Sequence, residues 1–246
     1  MKRILIVGAT SAIATACARR WAGEGSAFFL VARDAQKLEQ TATDLRTRGA
    51  EKVAVHHMDA MDSAAHTPML DACLSTLGAI DIALISYGTL PDQKACEQSA
   101  ALAAEAFALN ATSVIALATL IANRLEAQRA GTLAVISSVA GDRGRASNYV
   151  YGAAKAAVST FCAGLRARLA KAGAHVVLIK PGFVDTPMTK GLPLPAALLA
   201  TPDQVAADIV RAIARNRATL YTPWVWSPIM LIVRNIPEPL FKRLNL

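Results

Sequence analysis

Tyr151 and Lys155, in the stretch SNYVYGAAKAAV, stand four residues apart. On a helix that spacing puts both side chains on one face, within reach of each other. A fixed ammonium beside a phenol favours the phenolate and lowers the phenol's pKa. Tyr151 can then protonate a developing alkoxide, or take the proton back in the reverse reaction. Ser138 closes the apolar run LAVISS upstream, and a hydroxyl at a strand end can donate to a substrate carbonyl. Asn110 sits inside a long helical stretch, a poor place for a lone amide unless it has work to do. Tyr-x-x-x-Lys recurs by chance, so the elements around it must decide.

Strand-like runs alternate with helical ones along the chain. RILIVG, AFFLVARD, KVAVHHMD, DIALISYG, GTLAVISS and HVVLIKPG are the strands. ATACARRWAGEG, AQKLEQTATDLRTRG and HTPMLDACLSTLG are helical, as are a region from about Gln93 to Arg129 and another from about Tyr149 to Lys171. This rhythm predicts parallel βαβ units in one doubly wound α/β sheet of Rossmann type, with helices on both faces. The runs are continuously apolar, as strands covered on both faces are. The length of 246 residues suits a single domain. A proline-rich segment, about residues 187–202, follows a strand end, where ligands bind in such sheets, and is expected to be a substrate loop.

GATSAIA, Gly8 to Ala14, joins the first strand to the first helix. Gly8 can take the tight turn, Thr10 and Ser11 offer hydroxyls, and Ala12 and Ala14 still let backbone approach a phosphate at the helix N-terminus. The loop alone fits a cofactor cradle or an ordinary turn equally well. Arg33 ends the second strand, with Ala32 where an acidic residue would receive a ribose 2′-hydroxyl, which favours a 2′-phosphate and hence NADP(H) over NAD(H). Asp34 is placed to cap the next helix.

Taken jointly, Gly8, Asp59, Asn110, Ser138, Tyr151, Lys155, Pro181-Gly182 and Thr186 resemble the short-chain dehydrogenase/reductase family over nearly the whole chain. The resemblance implies a nicotinamide cofactor, Tyr151 as acid/base and Ser138 as carbonyl orienter. Lys155 would hold the nicotinamide ribose, Asn110 steady a proton relay through water, Asp59 meet the adenine and Thr186 the carboxamide. The cofactor set becomes Gly8, Thr10, Ser11, Ala12, Ile13, Arg33, Asp59, Gly88, Tyr151, Lys155, Pro181, Gly182, Val184 and Thr186. Two departures stand out: alanines replace glycines at Ala12 and Ala14, and the family's Asn-Asn-Ala-Gly reads Ile85-Ser86-Tyr87-Gly88, which questions the contacts of that strand end. GDRGRASNYVYGAAKA and IPEPLFKRLNL further resemble the reductases of decaprenylphosphoryl 2-keto-pentose, implying a phosphorylated or lipid-linked keto-sugar.

Bulk properties narrow the partners. The net charge is +8 without a Lys/Arg block, which points to anionic ligands or surfaces and away from nucleic acid. Arg143 and Arg145, between Ser138 and Tyr151, and Lys190, in the proline-rich loop, are candidates for an anionic substrate group. A solvated turn or a subunit contact accounts for the two arginines equally well. Cys17, Cys73, Cys96 and Cys162 make no CxxC pair, and His56, His57, His66 and His175 show no ligand spacing, so no metal is expected. Buried thiols fit a reducing, cytoplasmic setting. The apolar run before Gly8 is too short for a secretory leader, and no run reaches the length of a membrane span. The apolar tail, about residues 223–246, holds Trp224, Trp226, Ile229 to Val233 and later cations. It fits burial, a lid over the substrate, a subunit contact in a homo-oligomer (dimer or tetramer), or peripheral contact with a membrane's inner face. The combined reading is an NADP(H)-dependent ketone/alcohol oxidoreductase. A non-catalytic dinucleotide sensor and a membrane-associated lipid-pathway protein are the alternatives.

Overall fold

Among residues 1–244, which the computed structural model describes, the apolar runs form a seven-stranded parallel sheet. Its strands are β1 (Arg3–Val7), β2 (Ala27–Ala32), β3 (Lys52–His57), β4 (Ile82–Ile85), β5 (Thr132–Ile136), β6 (His175–Pro181) and β9 (Thr219–Thr222). The order is β3-β2-β1-β4-β5-β6-β9, so the winding reverses between β1 and β4. There Val7 pairs with Val31 on one side and Ile85 on the other. A crevice opens at the carboxyl ends of the strands at such a reversal, and ligands bind in it. A separate short pair, β7 (Phe183–Val184) with β8 (Leu199–Ala200), closes the base of the proline-rich loop.

Helices cover both faces. α1 (Ala12–Ala22), α2 (Ala35–Thr47) and α8 (Pro202–Ala214) bury Trp21, Leu38 and Ile209 in one core. α3 (His66–Leu77), α6 (Ser113–Gln128) and α7 (Tyr149–Ala170) bury Leu70, Ile121 and Val158 in the other. β2 and β4, inside the sheet, are buried along their whole length, as expected of doubly covered strands. β3 departs from the continuous apolar reading. It is an edge strand paired only with β2, and half of its residues face solvent.

The single helix expected from about Gln93 to Arg129 is three pieces. Ser99 takes an extended conformation, separates α4 (Gln93–Gln98) from α5 (Ala100–Phe107), and caps α5 by accepting a bond from Leu102 N at 3.3 Å. A π-helical turn, Ala108–Thr112, then leads into α6. From Ala100 to Gln128 the run is long and apolar enough to cross a membrane, which corrects the sequence reading. Val114, Leu117, Ile121 and Leu125 are buried in the core, so the α6 part of the run serves as a core helix, while α5 buries none of its residues. The tail is helical too: α9 (Trp226–Asn235) and α10 (Glu238–Phe241). Asn245 and Leu246 lie outside the described residues.

Candidate active site

The first turns of α7 place Tyr151 and Lys155 on one face, beside the end of β5. Ser138 follows β5 as the N-cap of a 3-10 turn (Val139–Asp142), its Oγ accepting from Ala140 N at 3.1 Å. Its hydroxyl also stands near enough to Tyr151 to favour the phenolate. Lys155 is buried, and its Nζ donates to Ile136 O at 3.2 Å. That ammonium stands 5.6 Å from the centre of the Tyr151 ring. Burial brings the Lys155 pKa down to about 8. Burial also pushes Tyr151 up to about 12, against the opposing pull of the Ser138 hydroxyl. The lowering expected from Lys155 is absent: desolvation is the larger cause, and Tyr151 is held protonated.

Asn110 is fully buried in the π turn and does not line the cleft. Its Nδ2 donates to Ala106 O at 2.9 Å and its Oδ1 accepts from Thr89 N at 3.0 Å. The widened turn aims the amide at the segment after β4. A Cβ on Gly88 would stand 2.6 Å from Asn110 Oδ1, so only glycine lets the two approach.

A cleft of about 600 Å³ runs from these residues across the winding reversal to the end of β2. Thr10, Ser11, Ala12 and Ile13 line it beside the N-terminus of α1. Gly8 has φ 85°, and a Cβ there would lie 2.8 Å from the backbone of Ser86 and Tyr87. The two departures from the glycine pattern divide the work. Ala12 faces the cleft, while Ala14 is buried in the core between helix and sheet. Ser86, where the family has asparagine, bonds Ser11 through their hydroxyls at 2.7 Å and so ties β4 to the loop. Tyr87 OH reaches Ser113 Oγ at 3.2 Å.

At the far end Arg33 lines the cleft, and Asp34 caps α2 by accepting from Lys37 N at 3.0 Å. Lys37, which the sequence reading passed over, lines the cleft next to Arg33. Its signal was the i, i+4 spacing from Arg33 at a helix start. Asp59 lines the same end, with Oδ1 accepting from Met61 N at 2.9 Å. Pro181, Gly182, Val184 and Thr186 line the cleft as well, on the side of the proline-rich loop. An elongated cleft with backbone donors, a glycine-tight floor and cations at one end fits a dinucleotide. Arg33 and Lys37 would stand at one end of it, and Lys155 and Thr186 at the other.

Comparison with known proteins agrees. The family model of the short chain dehydrogenases matches residues 2–195. The chain belongs to the short-chain dehydrogenases. An uncharacterised oxidoreductase of Mycobacterium tuberculosis is 36% identical, over 98% of this chain and 96% of the relative. One from Streptomyces coelicolor is 36% identical over 99% and 96%. A granaticin polyketide synthase protein of Streptomyces violaceoruber, named as a ketoacyl reductase, is 32% identical over 76% and 69%. The crystal structure of levodione reductase shares the fold, with a TM-score of 0.81 and 22% identity over 90% of this chain and 95% of that one. This short-chain dehydrogenase is an oxidoreductase of CH–OH and C=O groups that uses a nicotinamide dinucleotide.

Its substrate side differs from the sequence expectation. Arg143 does not line the cleft. Its guanidinium donates to Val233 O at 2.9 Å and to Ile236 O, pairs with Glu238 at 2.9 Å, and covers the Phe241 ring at 3.7 Å. It caps the carbonyl end of α9, and those bonds hold it away from any substrate. Lys190 is exposed on the proline-rich loop and also misses the cleft, whereas Met188, Leu192 and Leu194 line it. Arg145 does reach the cleft. It is half-buried, its Nη2 contacts Met230 Sδ at 3.5 Å, and its buried Nε has no partner. Burial lowers its pKa.

A buried cluster unforeseen from the sequence anchors this side. The Asp142 carboxylate takes the Lys180 ammonium on one oxygen and Tyr221 OH, at 2.7 Å, on the other. It ties the 3-10 turn after Ser138 to β6, just before Pro181, and to β9. Gly182 leaves no room for a Cβ because the Trp226 indole lies against it. Trp226 also meets Phe183 edge-on at 4.9 Å. The inner face of the tail is thus packed on the catalytic loop.

Proposed function

We propose that this chain is an NADPH-dependent reductase of a ketone that carries an anionic group. When bound, NADPH would supply hydride, and Arg33, Lys37, Lys155 and Thr186 are the residues that would hold it. Ser138 donates to the carbonyl oxygen and orients it, and Tyr151 gives that oxygen its proton, leaving a secondary alcohol. A phenol held protonated is the donating form, which supports the reductive direction. The observation that carries the reading is a single cleft with Tyr151, Ser138 and Lys155 at one end and Arg33 and Lys37 at the other. A complete acid/base set weighs against a sensor without turnover.

Arg145 supports the anionic group. Its guanidinium side chain lines the same cleft as Tyr151 without a carboxylate partner, because the neighbouring Asp142 is already engaged by Lys180 and Tyr221. A phosphate or carboxylate oxygen would complete it. Met188, Leu192 and Leu194 suit an apolar portion, so a ketoacyl chain or a lipid-linked keto-sugar both fall within the reading. Exposed Leu102 and Phe107 on α5 support a homo-oligomer, and four buried free thiols support a reducing, cytoplasmic compartment.

The test is NADPH consumption with neutral ketones and with keto acids or keto phosphates. Arg145→Ala should raise KM for the charged substrates by about ten-fold or more, the worth of a charge-assisted bond, and leave neutral ketones unchanged. An equal loss on both classes contradicts the anionic reading.

A further inference from the structure

α9 and α10 bury one side and leave the other bare. Inward, Trp226, Met230 and Phe241 are buried, the first two against Val139 of the catalytic loop. Outward, Trp224 is 77% exposed, Ile232 67%, Leu240 58% and Leu231 57%. Pro228, Leu231 and Ile232 follow helical spacing on the exposed side of α9, with Trp224 exposed in the turn before it and Leu240 on α10. Single exposed apolar residues are ordinary, but four large ones on one short helical hairpin form a patch. Its charges are one-sided. Arg234, Lys242 and Arg243 are exposed, while the hairpin's acid, Glu238, is engaged by Arg143.

The geometry points to an anionic lipid surface as the occupant of this face. Trp224, Leu231, Ile232 and Leu240 seat at the boundary of the acyl chains, and Arg234, Lys242 and Arg243 lie against phosphate headgroups. A second copy of the chain fits worse. A two-fold axis through the patch would set these three cations against themselves. The placement also concerns the cleft. Leu198 of the proline-rich loop packs on the same apolar cluster as Trp226, and exposed Met188 and Leu192 of that loop line the cleft. Lipid docking would therefore seat the bilayer on the element that supports the substrate loop. This second step rests on the proposed ketone reduction and makes its substrate amphiphilic; the docking itself does not depend on it.

The experiment is co-sedimentation of the full chain with vesicles of phosphatidylcholine alone and of phosphatidylcholine mixed with phosphatidylglycerol. The chain should sediment with the anionic vesicles only and should be released as salt rises. Leu231→Ser with Ile232→Ser should lower partitioning by about ten-fold or more, since each lost aliphatic group removes roughly 0.8 kcal/mol per buried CH₂. Both substitutions are on exposed positions, so melting temperature and NADPH turnover on a water-soluble ketone should hold. Failure of wild type to sediment, or undiminished binding by the double variant, overturns the docking surface while leaving the reductase reading intact. So does salt-insensitive self-association that the double variant abolishes, which would assign the face to a second copy.

Discussion

The cofactor half and the substrate half of the cleft are built by different means. The cofactor half uses backbone, small side chains and short sequence spacing: Gly8 in its turn, Ser11 capping α1, and Arg33 and Asp34 at the end of β2. Its main link across elements is one hydroxyl pair, Ser11 with Ser86. The substrate half uses long charged side chains reaching far along the chain. Asp142 gathers Lys180 and Tyr221, and Arg143 spans to Val233 and Glu238. The first design positions a ligand common to many enzymes. The second fixes one particular catalytic loop and tail, so charge loss there should cost the fold, whereas charge loss at Arg33 should cost only cofactor choice.

The largest effect on stability is expected at Asp142. Its carboxylate is 2% exposed and Lys180's side chain 11%. Asp142→Asn leaves an ammonium buried without its counter-charge and should lower unfolding free energy by about 3–5 kcal/mol in urea titration. Adding Lys180→Met should recover much of that loss. A single variant within about 1 kcal/mol of wild type would erase the contrast between the two halves.

Arg33 provides the opposite case. Wild type should bind NADPH more tightly than NADH by roughly ten-fold to a hundred-fold, the worth of one or two charge-assisted phosphate contacts. Arg33→Ala should remove most of that preference, Lys37→Ala part of it, and neither should shift the melting temperature appreciably. Fluorescence titration with both cofactors decides; tighter NADH binding by wild type would refute the assignment.

Lys155 sits at the seam of the two halves. Its folded pKa, about 8, lies below the ordinary lysine value of 10.5. Between those values the unfolded chain binds more protons, so the lysine's contribution to stability rises with pH over that window. Tyr151 acts oppositely: its folded pKa of about 12 exceeds the ordinary tyrosine value of 10, and its contribution falls with pH above 10. Lys155→Met should therefore stabilise the cofactor-free protein at pH 7 by on the order of 2 kcal/mol, with the advantage shrinking toward pH 10. Parallel thermal melts across pH would sharpen the comparison, and a constant difference would reject the buried-charge account.

This contrast also explains what could be read from the sequence. Tyr151, Lys155, Ser138 and the Gly8 loop are adjacent to strand and helix boundaries, so their joint spacing and the family resemblance it carries placed them in one site. The doubly wound parallel sheet followed from the alternation of apolar runs. Arg143 was misread because its partners lie about ninety positions away, on a helix whose contacts no local pattern encodes. The π turn that aims Asn110 was also invisible, since ALNAT has no glycine or proline to mark it. Arg145 and Lys190 looked alike as loop cations, and only the fold separates the one that faces the cleft from the one that faces water.

The central claim is that Tyr151 delivers the proton in an NADPH-dependent ketone reduction. The direct measurement is NADPH oxidation by wild type and Tyr151→Phe over a panel of ketones, including ketoacyl thioesters and keto phosphates, with NADPH affinity measured in parallel. Wild type should turn over at least one class, and the variant should lose about 10²- to 10⁴-fold in kcat while keeping NADPH affinity within a few-fold. Near-normal turnover by Tyr151→Phe would contradict the account.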